Sequence, residues 1–398
     1  MNEHPILGQV VLGYSPMIDR QRSVVATRLT VFPARPDAPV DAGALLEAVA
    51  DVWPEGGGKV SLNVVSETLL ADLLSAAPSS NLMVEVPAFM AGDPAHSAAL
   101  KALHQGGNTL LIKGRPVREL PRDVLPCFRH SIIDVDDDRR TDEHAPAGVV
   151  RSITHVQAGV RTLVQLDASF KRGAIAVLGW PMDDVIEMSG GKNAAIRPDL
   201  QTIVELIRRV DAEEPIERIE ATLKLDPTLA FKLMRYINSP AFGLSVEISS
   251  FRHAVMMLGY HRLKRWLALL LASASKDQDM KPVMFAAVRR GLLMEELVRG
   301  TGDDQMRNEA FICGVFSLLD RMMRQPFAAL LKTIPVPESV HQALVDGTGP
   351  FHPYAEVVRA VEQESLFDIR DAADRLMLSV AEINRAELRA LAIAAQLE

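Results

Sequence analysis

The sequence predicts a multidomain protein: an N-terminal (β/α)8 barrel over residues 1–188 and a C-terminal all-α helical bundle over 189–398. Three observations predict it. Eight short runs rich in Val, Ile and Leu occupy the first half. Several are continuous rather than alternating, the pattern of a parallel sheet covered on both faces. Helical segments lie between many of them, which suggests closure into a barrel. An open doubly wound sheet is the alternative, weakened as a dinucleotide site because no Gly-x-Gly-x-x-Gly turn follows an early strand. After Pro198, apolar residues recur at helical spacing nearly throughout.

The expected strands are Gln9–Tyr14, Val24–Phe32, Lys59–Val65, Leu82–Val86, Asn108–Lys113, Ser131–Val135, Val149–Val156 and Ala174–Gly179. The intervening helices are Asp41–Val52, Glu67–Ala77, Ala95–Gln105 and Val160–Arg172. Ser189-Gly190-Gly191-Lys192-Asn193 reads as a flexible joint. Helices are then expected from Leu200–Arg209 onward, including Ser250–Leu258, His261–Ser273, Phe285–Arg299, Glu309–Met323, Pro353–Glu362, Asp368–Leu378 and Val380–Leu397.

Composition narrows the function classes. The chain has 398 residues, enough for two or three domains. Apolar residues make up 48% and charged residues 24%, a globular balance. The net charge of -8 argues against a general nucleic-acid binder, which needs a basic surface. Cys127 and Cys313 lie far apart and near no metal-ligand spacing, which fits a reducing cytoplasm. No signal peptide is visible, and the most apolar stretch, Trp266–Ala274, is about half the ~20 residues that span a bilayer.

Active sites of such barrels lie at the carboxyl ends of the strands. The strand ends here offer Arg28, Asn63, Glu85, Lys113, Ile132, Asp134, Thr154 and Gln157, of which Glu85 and Asp134 are acidic. Metal-assisted phosphodiester hydrolysis needs several convergent carboxylates. Arg28 and Lys113 would repel a cation there. The plain structural reading of Glu85 is a local salt bridge or hydrogen bond.

These strand ends carry a resemblance. The first half resembles the EAL family of cyclic-di-GMP phosphodiesterases in degraded form. Gly13-Tyr14-Ser15-Pro16-Met17-Ile18-Asp19 is similar to the first-strand motif, and Arg28-Leu29-Thr30 stands where Glu-x-Leu is expected. Asn63, Glu85 and Asp134 fit retained positions of that family's site. The Asp-Asp pair falls on Ile112-Lys113, the catalytic Lys on Ile132, and the Glu-x-Val-Glu motif on Thr154–Gln157. The resemblance therefore implies a barrel stripped of its metal ligands, with no metal and no cofactor expected.

The second half resembles the HDOD domain, a relative of HD-type phosphohydrolases, over about 200 residues. The stretch from Asp226 through Gly243 to Gly259 carries it, with Asp226, Pro227, Arg235, Asn238, Ser239, Gly243 and Gly259 as hallmark positions. Their local chemistry reads as mainly structural. Asp226 before Pro227 suits a helix start, and Asn238, Ser239 and Gly243 suit a helix end and turn. Leu258-Gly259 closes another helix. Ser317-Leu318 falls where active relatives carry His-Asp, so the centre of a metal site is missing. The basic cluster Arg262, Lys264 and Arg265 beside Trp266 is a candidate partner patch, with a solvated helix face as the plain alternative.

An EAL-type barrel followed by HDOD is similar to a two-domain family of bacterial signalling proteins. The expectation is a non-enzymatic cytoplasmic regulator or scaffold acting through protein partners. The resemblance implies a setting in cyclic-di-GMP-linked control of motility, biofilm formation or virulence. The alternatives are a cyclic-di-GMP receptor at the barrel and a residual metal-dependent phosphodiesterase. Duplex nucleic acid and membrane insertion are not expected, and the oligomeric state is left open.

Overall fold

The structure is a computed structural model. It describes residues 4–53, 58–76, 78–114, 119–138, 153–184, 198–224, 251–273 and 278–395. By contacts the chain divides into two compact units: residues 1–184 with 359–388, and residues 185–358 with 389–398. The sequence reading has one boundary, between 188 and 189. The contacts also return residues 359–388 to the first unit.

The first unit is the expected closed eight-strand barrel, with strands in sequential order. They are β1 (Val10–Asp19), β2 (Val24–Pro33), β3 (Val60–Val64), β4 (Leu82–Pro87), β5 (Thr109–Lys113), β6 (Phe128–Asp134), β7 (Thr154–Val160) and β8 (Ala176–Gly179). Helices α1 (Ala42–Ala50), α2 (Glu67–Ser75), α3 (Ala88–Ala91), α4 (Pro94–Gln105) and α5 (Leu163–Lys171) connect them. Their starts are written in the sequence. Asp41, Ser66 and Asp93 each accept a backbone N–H of the first turn, and Thr162 with Gln165 forms a reciprocal capping box.

One strand departs from an all-parallel barrel. β1 runs antiparallel to both β2 and β8. The cause is the turn between β1 and β2. It is far too short for a parallel crossover, which needs a dozen or more residues. The Asp19 carboxylate accepts the N–H groups of Gln21 and Ser23, both at 2.9 Å, and Arg22 adopts a left-handed φ of 62°. A hairpin follows.

Side chains alternate across the barrel wall. Outward residues such as Leu29, Val31, Leu62, Val84 and Val86 are buried. Inward residues form an apolar core of Met17, Ala26, Met83, Leu111, Ile132, Val156, Ala158, Ala176 and Leu178. Two residues further along β2, β4 and β5, on the same inward face, stand Arg28, Glu85 and Lys113.

The second unit is helical. Its segments are α6 (Pro198–Asp211), α7 (Ile216–Lys224), α8 (Phe251–Ser273), α9 (Lys281–Leu297), α10 (Asp304–Phe316), α11 (Leu319–Met323), α12 (Phe327–Leu330) and α13 (Glu338–His341). α8 is kinked at Gly259, whose φ of 70° divides it between the two helices the sequence separates there. α9 and α10 pack through paired glycines. A Cβ on Gly314 would lie 2.5 Å from the Arg290 carbonyl oxygen, and one on Gly291 2.5 Å from Val315. The expected helix 309–323 breaks at Ser317, whose hydroxyl donates back to the Gly314 carbonyl at 2.7 Å.

The chain closes with α14 (His352–Glu362), α15 (Leu366–Leu376) and α16 (Val380–Ala394). Within the first unit, α16 is tied to the start of the barrel by one side chain. Fully buried Asn384 accepts the Leu12 N–H at 3.0 Å. Its amide donates to the carbonyls of Leu7 at 2.8 Å and Val10 at 2.7 Å.

Candidate functional site

The residues singled out at the strand ends meet inside the barrel. Arg28 and Glu85 form a two-bond pair, Nε to Oε1 and Nη2 to Oε2, both 2.8 Å. Arg28 is 7% exposed and Glu85 1%. The third nitrogen of Arg28, Nη1, donates to Glu364 at 3.1 Å. Ser61 Oγ donates to Glu85 at 3.0 Å, and Thr30 Oγ1 donates to Glu364 at 2.6 Å. Asn63 Nδ2 donates to Thr30 Oγ1 at 3.0 Å, and Lys113 Nζ donates to Asn63 Oδ1 at 2.8 Å. A continuous network thus runs from Ser61 to Lys113.

Its electrostatics follow from burial. Desolvation works against the Arg28 charge, but Glu85 and Glu364 outweigh it and hold the guanidinium above the ordinary arginine range. Lys113 has weaker compensation. Burial and the Arg28 charge lower its pKa below the usual lysine value.

Asn63 and Glu85, expected as retained positions, both belong to this network. Asp134 acts on it through its charge, while its Oδ1 accepts the Asp136 N–H at 3.0 Å. Ile132 belongs to the apolar core. The sequence reading missed Ser61, and above all Glu364. Glu364 comes from the turn between α14 and α15, 336 residues from Arg28.

An intact site of the family it resembles would hold divalent cations here, and the residues present do not fit them. Both oxygens of Glu85 accept from a guanidinium, and the Asn63 oxygen accepts from an ammonium. A divalent ion would face Arg28 and Lys113 at close range. Among the described residues there is no group of three or more His, Cys, Asp or Glu side chains that could hold a metal.

In the helical unit, Ser317 and Leu318 occupy the centre of the implied site. Leu318 is 2% exposed, and Ser317 Oγ accepts from Arg290 Nη1 at 3.1 Å. Asp320 is pushed above the usual carboxylate range by burial. Of the basic cluster, Arg265 makes a two-bond pair with Glu295, both 2.6 Å, and lies over the Phe311 ring at 3.8 Å. Lys264 pairs with Asp211. Arg262 is exposed. Asp226, Pro227, Arg235, Asn238, Ser239 and Gly243 lie outside the described residues, as does the joint 189–193. Among the described residues no helix is long and apolar enough to cross a membrane.

Residues 198–325 match the HDOD domain family. The chain carries an HDOD domain. A closed barrel precedes it, so the order of barrel and then HDOD is the one expected from the sequence. Two curated proteins are similar to it. One is the cyclic di-GMP phosphodiesterase CdgJ of Vibrio cholerae, 27% identical over 47% of this chain. The other is the protein YuxH of Bacillus subtilis, 27% identical over 40% of this chain. The matches span 46% and 40% of those proteins, so the chain aligns with less than half of each. Among solved structures, the PaMucR phosphodiesterase in complex with c-di-GMP is similar at 15% identity, covering 44% of this chain and 96% of that one, with a TM-score of 0.33. Klebsiella pneumoniae BlrP1 in its calcium and c-di-GMP complex is similar at 15% identity, covering 46% and 57%, with a TM-score of 0.32.

The expectation that the chain is not an enzyme is overturned by the Vibrio relative. That relative carries the name of a cyclic di-GMP phosphodiesterase, and the loss of activity expected from the motif positions is not shown.

Proposed function

We propose that this chain is a regulator in cyclic-di-GMP signalling that acts through protein contacts. The barrel is its platform and the HDOD domain its interaction module. The observation that carries this reading is the filling of the barrel end by the protein's own side chains. Arg28 is held by Glu85 and Glu364 on two sides. The Vibrio relative supports the setting. Control of motility, biofilm formation or virulence is the output the two-domain order implies. Exposed Arg262 is the centre of the proposed partner patch. The hallmark positions outside the described residues are proposed to shape the HDOD fold.

A second reading is favoured by the same relative: hydrolysis of cyclic-di-GMP at the barrel. One experiment separates the two. The full chain is incubated with cyclic-di-GMP and Mg²⁺ or Mn²⁺, beside crosslinking capture from the native cell with wild-type and Arg262→Glu baits. Linear product whose release is lost in Glu85→Gln establishes the hydrolytic reading. Specific proteins captured by the wild type and lost by Arg262→Glu establish the contact reading. Identical capture by both baits defeats the patch.

A further inference from the structure

Glu364 is an unusual residue in an unusual place. It is not glycine, yet its φ is 53°, a left-handed conformation that a residue with a side chain adopts only at a cost. The barrel makes room for it. A Cβ on Gly13 of β1 would lie 3.0 Å from Glu364 Cα and 3.1 Å from its Cβ and Cγ. Both features put a carboxylate against Arg28 Nη1 and Thr30 Oγ1. The two carboxylates of the network differ in access. The Glu85 side chain is 0% exposed, whereas that of Glu364 is 23% exposed. Water reaches one and not the other.

The charges explain what Glu364 does. Arg28 and Lys113 are the cations of the network, and Glu85 and Glu364 its carboxylates. Without Glu364, a guanidinium nitrogen and the Thr30 hydroxyl lose their acceptor in a buried recess where Arg28 and Lys113 are faced by Glu85 and, through its charge, Asp134. Such a group of donors takes an oxyanion, because a guanidinium matches phosphate as well as carboxylate. The α16 segment need not leave for this to happen. Asn384 fixes it to β1 independently, so the turn carrying Glu364 can swing while the anchor holds.

We infer that Glu364 is a displaceable internal ligand, a carboxylate held over Arg28 in place of a phosphate-type oxyanion from solution. Oxyanion binding and opening of the 362–366 turn are then one equilibrium. A ligand that takes Arg28 shifts the turn outward, and anything that pulls the turn outward raises affinity for the ligand. This inference is independent of the reading of function, since it is read by phosphate affinity and backbone exchange rather than turnover or partner capture.

The test uses the full chain and inorganic phosphate, titrated by calorimetry, with hydrogen exchange of residues 359–366 followed alongside. Glu364→Gln removes the competing charge, and Gly13→Ala crowds the turn without touching a cation. Both are expected to tighten phosphate about tenfold, equivalent to about 1.4 kcal/mol, and to speed exchange in the turn. Arg28→Met in the Glu364→Gln background is expected to abolish the gain. Unchanged affinity in Glu364→Gln overturns the inference. So does a gain that persists without Arg28. Loss of the barrel fold by circular dichroism in both single variants also overturns it, because the contact is then purely structural.

Discussion

Arg28 and Glu85 face each other from neighbouring inward positions of β2 and β4 and share two hydrogen bonds of equal length, 2.8 Å each. Neither is in contact with bulk water to any useful extent. A pair so placed is held less by its own attraction than by the cost of breaking it. Desolvation offsets most of the Coulombic gain, but a single buried charge has no compensation.

Arg28→Met is therefore expected to destabilise the barrel by about 3–5 kcal/mol, leaving Glu85 buried and unpaired. Adding Glu85→Leu should recover a large part of that loss. Hydrogen exchange of peptides from β2 and β4 measures both. Additive losses in the double variant would show that the two residues are not coupled.

Asn384 satisfies three backbone groups at once. Asn384→Ala leaves buried Leu12 N–H and two carbonyls without this partner and is expected to cost about 2–4 kcal/mol. The effect should be local. Exchange should accelerate most in residues 5–12 and less in β3, as peptide-resolved hydrogen exchange would report.

Gly314→Ala places a methyl 2.5 Å from the Arg290 carbonyl oxygen and 2.7 Å from Gly291 Cα. Both obstacles are backbone, so α9 and α10 must separate. A loss of about 1–3 kcal/mol is expected, despite alanine's better helix propensity. Gly300→Ala, which meets nothing within 4 Å, is the control and should change the melting temperature little.

Asp320 gives a pH test with a definite sign. Burial raises its folded-state pKa above the ordinary value of 3.8. Between 3.8 and the raised value the native state binds more protons than the unfolded chain, so its contribution to stability falls as pH rises through that window. Asp320→Asn keeps an oxygen to accept the Arg321 N–H and cannot ionise. It is expected to melt above the wild type at pH 7, with the gap closing as pH falls below the window. A gap independent of pH would locate the penalty elsewhere.

The sequence made the barrel legible because most strands bury both faces and each capped helix announces its start. Asp41, Ser66, Asp93 and Thr162 are signals a few residues long. The direction of β1 was legible in principle, from the short link between Asp19 and Val24, but eight apolar runs suggest a uniform parallel barrel if the link is not counted. Arg28, Asn63 and Glu85 were found because they stand at motif positions. Glu364 carried no such signal. It is one more acid in a polar turn between amphipathic helices, and only tertiary structure brings it to Arg28. The basic cluster illustrates the opposite failure. Arg265 and Lys264 read as free charge along one helix, while Glu295 and Asp211, which neutralise them, come from others.

The return of residues 359–388 to the first unit has a consequence for biosynthesis. The ribosome delivers the eight strands early, then the whole stretch 185–358, before the last part of that unit emerges. At ~5–20 residues per second, the nascent barrel waits on the order of ten to forty seconds for Glu364 and Asn384. During that interval Arg28 has Glu85 alone, and the Leu12 N–H lacks its distant acceptor. A translation stall or an early stop codon in the middle of the gene would thus prolong exposure of an incomplete N-terminal unit to proteases and chaperones.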